Sequence, residues 1–256
     1  MGKFELNYVV EGDGEPLLFI HGLSDNMIYW VALAAGLKRN YQIIRIDLRG
    51  HGGSALGSDE ITIDLYCDDL KNLLDDLNIC KVNLVGFSLG GAIALDFAVK
   101  YPDMVSSVVL MSTFSRCDDY LKCIFNEFKS NLSKGFGEFY DYMIPKALCP
   151  EVIEKNRDEL EIIKEFALLN ANVEAYLKAC DACLRFDVED RLSEITQPVL
   201  ILAGRYDEIT LLKYQESLHE MIENSELVVF DNVKHNLLVG KNNGVIVDIL
   251  NKFYKK

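Results

Sequence analysis

The segment richest in chemistry is Val82-Asn83-Leu84-Val85-Gly86-Phe87-Ser88-Leu89-Gly90-Gly91, where a β-branched apolar run passes through G-x-S-x-G into a helical pattern. A strand, a sharp turn and a helix in that order make a nucleophile elbow. The two glycines let neighbouring backbone approach closely, and the turn lifts the Ser88 hydroxyl clear of the strand. The helix N-terminus behind it offers positive potential to an oxyanion developing at an attacked carbonyl. A serine hydroxyl is a poor nucleophile alone, so a base and an orienting acid must follow. Of the four histidines, His21 and His51 precede the serine in loop motifs. His219 falls on a charged helical pattern, where a solvated surface residue is the simpler account. His235 remains, in the loop after the apolar run Leu227–Phe230, and it is the candidate base because the order nucleophile, acid, histidine requires a late histidine.

The acid is expected one strand earlier. Val199-Leu200-Ile201-Leu202-Ala203-Gly204 ends in Arg205-Tyr206-Asp207-Glu208, which puts Asp207 a short loop beyond a buried strand. Glu208 is adjacent, and either carboxylate can hold an imidazole in the required tautomer; Asp207 is the choice. The preceding strand is followed by Ser112-Thr113-Phe114-Ser115, which supplies no acid. In Phe19-Ile20-His21-Gly22-Leu23, Gly22 permits a tight loop after a strand, so the backbone N–H groups of Leu23 and Leu89 are assigned to an oxyanion hole. The His21 side chain is read as stabilising this loop. The chemistry so composed is acyl transfer to water, which requires no cofactor and no metal.

These residues need a frame to hold them. Strand patterns are read at Phe4–Val10, Leu17–Ile20, Gln42–Ile46, Val82–Val85 and Val105–Met111, with helices at Ile63–Leu77 and Leu89–Tyr101 between them. Only helical patterns follow from Ser115 to Asp187. Phe125, Phe128 and Leu132 are spaced for one face, Phe136, Phe139, Tyr140 and Met143 for another, and Pro145 and Pro150 break the segment. Strands return at Val199–Leu202 and Leu227–Phe230, with helices near Leu211–Ile222 and Val245–Phe253. The fold class is α/β: a doubly wound, mostly parallel sheet made of residues 1–114 and 188–256, interrupted by a helical insertion at 115–187.

Composition narrows the partners. Half of the 256 residues are hydrophobic and 26% are charged, the balance of a globular protein. A net charge of −14 argues against nucleic acid and anionic membranes, since phosphate recognition needs clustered Lys and Arg. The N-terminal residues show no secretory signal, Leu6 stands where a myristoylation signal wants Ser or Thr, and no apolar run reaches membrane-spanning length. Seven cysteines, scattered and odd in number, fit free thiols in a reducing compartment, so the expected location is the cytoplasm. Cys180-Asp181-Ala182-Cys183 has metal-like spacing but no second pair or nearby histidine, and reads as two buried thiols on a helix. The expected partner is a small-molecule substrate.

Taken together, His21-Gly22, Asp47-Leu48-Arg49-Gly50-His51-Gly52-Gly53-Ser54, the Ser88 elbow, Pro198 through Asp207 and His235 resemble the α/β-hydrolase superfamily. Among its capped members the chain is most similar to carboxylesterases, enol-lactonases and hydrolases of carbon–carbon bonds in ring-fission products. The resemblance implies that the insertion is a lid domain governing substrate choice. Ser88 argues against the haloalkane dehalogenase and epoxide hydrolase branches, which resemble this architecture but use Asp there. Two departures stand out: Lys234 precedes His235 where relatives commonly have Gly, and Asn236–Gly244 replace the usual acidic and proline residues. The leading expectation is a serine hydrolase for small or medium, largely apolar esters or lactones. The insertion is rich in Phe and Tyr, including Phe125, Phe128, Phe136, Phe139, Tyr140 and Tyr142, and no exposed amphipathic anchor is expected. The alternatives are carbon–carbon bond hydrolysis, with Arg116 as a carboxylate-binding candidate, and a small-molecule receptor that keeps the triad.

Overall fold

A computed structural model describes residues 4–238 and 241–255. The signal-peptide expectation rests partly on residues 1–3, and part of the unusual loop after His235 falls on Val239 and Gly240; both lie outside the described residues. Seven strands form one sheet: β1 (Tyr8–Glu11), β2 (Glu15–Ile20), β3 (Tyr41–Ile46), β4 (Val82–Phe87), β5 (Val105–Met111), β6 (Val199–Gly204) and β7 (Ser225–Phe230). Their order is β1-β3-β2-β4-β5-β6-β7. β1 runs antiparallel to β3, and every other pairing is parallel.

The period-two alternation of a strand sorts its side chains onto two cores. Leu18, Ile20, Ile44, Ile46, Leu84, Val108, Leu110 and Ile201 face one core, shared with α2 (Ile63–Asp76) and α3 (Leu89–Lys100). Leu17, Phe19, Ile43, Val85, Val109, Met111, Leu200 and Leu202 face the other. There they meet Leu33 and Leu37 of α1 (Val31–Leu37) and Ile246 and Leu250 of α10 (Asn242–Phe253). A sheet covered on both faces must have apolar strands throughout, which is why β4 and β6 are buried from end to end. The remaining core helix, α9 (Leu212–Met221), packs beside β6 and β7.

Five helices lie between β5 and β6: α4 (Asp119–Leu132), α5 (Phe136–Ala147), α6 (Pro150–Lys155), α7 (Arg157–Asn170) and α8 (Val173–Leu184). An antiparallel bridge, Arg116 to Asp187, ties the two ends of this segment together. Aromatic rings form its interior. Phe125 and Phe128 stand 6.0 Å apart, Phe128 and Phe139 5.2 Å, Phe139 and Phe136 5.7 Å, and Phe136 and Tyr176 5.9 Å. Phe125, Phe128, Phe136, Phe139 and Tyr140 are buried in that interior, and Tyr142 packs against it. Cys180 and Cys183 are buried on α8, and burial pushes both thiols up, away from the reactive thiolate.

Some expectations were displaced. Strand β1 begins at Tyr8 instead of Phe4: the Phe4 ring lies 3.4 Å from the Arg49 guanidinium, and Asn7 bonds Asp47. Pro145 does not end its helix, since α5 continues to Ala147. Helix α1 has no polar stripe for a periodicity reading to detect, because it is short and apolar throughout. No exposed amphipathic anchor was expected, yet one helix carries exposed apolar side chains. Helix α7 packs on α5 and α6 and leaves Ile162, Ile163, Phe166, Leu168 and Leu169 exposed. Among the described residues no helix is long and apolar enough to cross a membrane.

Candidate active site

Ser88 sits between β4 and α3 with φ 52° and ψ −115°, a left-handed conformation that costs about 1–3 kcal/mol for a non-glycine residue. The surroundings hold it there. Its N–H donates to Met111 O at 2.9 Å, and its carbonyl accepts from Thr113 Oγ1 at 2.7 Å. The elbow glycines are demanded by close approach. A Cβ on Gly90 would stand 2.1 Å from Ile20 O, and one on Gly86 2.3 Å from Gly90 O. The helix thereby meets the end of β2, where the loop His21-Gly22-Leu23 begins. Leu89, as the first residue of α3, has no intrahelical acceptor for its N–H. The Leu23 N–H likewise makes no hydrogen bond among the described residues.

The acid and base candidates come together from two loops. Asp207 follows β6, His235 follows β7, and His235 Nδ1 lies 2.8 Å from Asp207 Oδ2. The buried carboxylate has three further donors: Ile209 N at 2.8 Å, Thr210 N at 2.9 Å and Thr210 Oγ1 at 2.8 Å. Four donors compensate a charge that would be costly to bury alone. With Nδ1 donating to Asp207, Nε2 of the neutral ring is the acceptor, as a general base requires. The His235 ring stands 5.0 Å from Phe87, the residue before Ser88. No hydrogen bond joins Ser88 Oγ to a described side chain, and such contacts often tighten only with substrate in place.

Glu208 faces elsewhere. Its carboxylate pairs with Lys234, whose Nζ also donates to Pro145 O of α5 at 2.7 Å. Lys234, a departure at the sequence level, thus fastens the His235 loop to the insertion. Asn236 N adds a bond to Ala147 O at 3.0 Å, Cys149 Sγ one to Asn232 O at 3.3 Å, and Tyr120 OH one to Glu208 O at 2.7 Å. On the opposite side, a Cβ on Gly50 would meet Ala175 at 2.5 Å, and the His51 ring lies 4.9 Å from Tyr176. The insertion therefore packs on the loops at the C-terminal ends of the parallel strands, the end at which open α/β sheets bind ligands.

His21 and His51 are structural. His21 Nδ1 donates to Gly22 O at 2.8 Å while Nε2 accepts from Leu48 N at 3.0 Å, joining the Gly22 loop to the one after β3. Burial brings His21 down to about 4 and His51 to about 3. Both stay neutral in the folded protein and take up a proton only on unfolding, so stability is complete above the unfolded histidine value near 6.5 and falls as pH drops below it. His51→Gln should remove one such proton. Between pH 7 and 5, urea unfolding should show wild-type stability falling about 2 kcal/mol further than the variant's. Equal slopes would contradict this account.

Sequence reasoning missed Thr210, although an Asp followed three positions later by Thr is a local capping pattern that could have revealed it. It missed Asp25 and Tyr29 as well, which lie beside the elbow: a Cβ on Gly22 would stand 3.2 Å from Asp25 Oδ2, and the Tyr29 ring stacks on Phe87. Arg116 pairs with Glu189 at 2.9 Å, half-exposed at the base of the insertion. His219 lies at the surface, its Nδ1 2.8 Å from Ser225 Oγ.

A family model described as the alpha/beta hydrolase fold matches residues 15–147. The chain is 28% identical over 232 residues to the 3-oxoadipate enol-lactonase 2 of Acinetobacter baylyi, covering 88% of this chain and 85% of the relative. It superposes on an α/β-hydrolase enzyme from a Medee basin deep-sea metagenome library with a TM-score of 0.93, at 24% identity over 100% of this chain and 96% of that one. A thermophilic esterase from Thermogutta terrifontis superposes with a TM-score of 0.87, at 26% identity over 98% and 93%. With the strand–elbow–helix geometry, the mostly parallel sheet and the family match in agreement, the chain belongs to the α/β-hydrolase family and is a hydrolase.

Proposed function

We propose that the protein is a serine hydrolase that cleaves small or medium, largely apolar carboxylic esters or lactones through an acyl-enzyme. The observation that carries this reading is the Asp207–His235 hydrogen bond at 2.8 Å, with the His235 ring 5.0 Å from Phe87, next to an elbow serine in a left-handed conformation. His235 takes the proton from Ser88 as the hydroxyl attacks the carbonyl. Asp207 stabilises the imidazolium, and the N–H groups of Leu23 and Leu89 receive the oxyanion. The alcohol departs with the proton from His235, which then activates water to release the acid and restore Ser88. The relatives named as an enol-lactonase and an esterase support an acyl-transfer substrate. Carbon–carbon cleavage gains nothing from Arg116, whose guanidinium is engaged by Glu189.

In this reading residues 115–187 are a cap over the site, and Tyr29, Phe87 and Tyr176 give its pocket an apolar wall. Each methylene buried on that wall contributes at most about 0.8 kcal/mol. kcat/KM across p-nitrophenyl esters from acetate to palmitate should rise a few-fold per carbon, peak among short or medium chains and then fall. The exposed apolar stripe of α7 makes the longest chains the decisive ones. A steady rise through palmitate would defeat the size limit and point to an interfacial substrate.

A further inference from the structure

Asp25 lies two residues beyond Leu23, and its N–H returns to Gly22 O at 3.3 Å. That turn folds its carboxyl over the loop. A Cβ on Gly22 would stand 3.2 Å from Asp25 Oδ2 and 2.9 Å from the Phe87 ring, so carboxyl and ring converge on one point beside the elbow. Phe87 is stacked on Tyr29, centroids 4.8 Å apart at 16°, and its other neighbour is the His235 ring. Tyr176 of α8 stands 4.9 Å from the His51 ring, within reach of the Asp25 charge. Enclosure raises the Tyr29 and Tyr176 hydroxyls, and the Asp25 charge adds to the rise in both. Asp25 thus sits among the base, the proposed oxyanion loop and an aromatic wall. Protein surrounds it, yet it keeps an accessible edge, as a group lining a pocket does.

The contrast with Asp207 is informative. Asp207 has four donors, whereas among the described residues no donor or cation bonds the Asp25 carboxyl. Enclosure raises Asp25 to about 7, with His235 pulling the other way. An unpaired carboxylate this close to an oxyanion hole opposes the charge that forms there, and that opposition is relieved by a substrate that brings its own positive charge.

Resting on the esterase reading, we infer that Asp25 is a specificity-determining residue that selects esters carrying an alkylammonium group near the scissile bond. The cation sits against the Asp25 carboxylate, and its carbons pack on the aromatic wall of Tyr29, Phe87 and Tyr176. This joins an apolar pocket to one placed polar group and disfavours substrates with a carboxylate at that position.

The test compares cationic esters with neutral isosteres. Butyrylcholine is paired with 3,3-dimethylbutyl butyrate, and p-nitrophenyl 4-trimethylammoniobutyrate with p-nitrophenyl 5,5-dimethylhexanoate, which places the charge on the alcohol or on the acyl side. Asp25→Asn, with Asp25→Ser as a second variant, should shift the cationic-to-neutral ratio of kcat/KM in at least one pair roughly tenfold or more toward the neutral ester. Ratios unchanged in both pairs would overturn the inference. Binding of choline and of 3,3-dimethylbutanol to the wild type, measured by calorimetry, separates the two readings. A protein that hydrolyses neither pair but prefers choline in an Asp25-dependent manner contradicts the esterase reading alone. A protein that turns over the neutral esters but shows no Asp25-dependent charge preference in turnover or binding contradicts the inference alone.

Discussion

Ser88→Ala is expected to lower kcat on the order of 10⁴-fold or more while the protein stays folded. The size follows from the chemistry: without the hydroxyl no acyl-enzyme forms, and only binding and the oxyanion donors remain. Alanine is also compatible with the fold, because what holds position 88 is backbone, namely the N–H bond to Met111 O and the Thr113 bond to the carbonyl. Far-UV circular dichroism and a urea midpoint near that of the wild type would confirm that only the chemistry was lost. A phosphonate or sulfonyl fluoride probe should label Ser88 alone, and labelling of another serine would sink the assignment.

The second large effect distinguishes neighbouring acids. In Asp207→Asn the amide nitrogen would face His235 Nδ1, favouring the tautomer with its proton on Nε2, which cannot accept a proton from Ser88. A loss on the order of 10⁴-fold is expected. Glu208→Gln should stay within a few-fold of wild type, because the Glu208 carboxylate is half-exposed and faces Lys234 instead of His235. Steady-state kinetics on a single short-chain ester suffices. The opposite ranking would transfer the orienting role to Glu208.

Much of this architecture could be read from residue order. The alternation of β-branched runs with helical patterns located the sheet, and the Gly86-Phe87-Ser88-Leu89-Gly90 turn announced its own geometry because close backbone approach admits only glycine at two of its positions. That Asp207 and His235 would meet could be anticipated because each follows an apolar run ending in a loop, a one-dimensional signal. Glu208 could not be excluded from the sequence, since adjacent carboxylates differ only in the direction their side chains take. Thr210, Asp25 and Tyr29 were invisible for a related reason: their importance lies in which distant elements face them. The exposure of α7 was likewise hidden, because an apolar stripe has the same spacing whether it meets a neighbour or solvent.

The attachment of the His235 loop to α5 constrains how anything gets in. Lys234, Asn236 and Asn232 each bond the end of α5 or the residues just after it, so swinging that edge outward would carry His235, the proposed base, with it. In that reading, ingress through this edge and an intact Asp207–His235 bond exclude each other. The helices α6 and α7 contribute no buried residue, and no side chain within them makes any of those three bonds. Under the proposed mechanism, an entrance on their side would leave the Asp207–His235 pair assembled as a molecule enters.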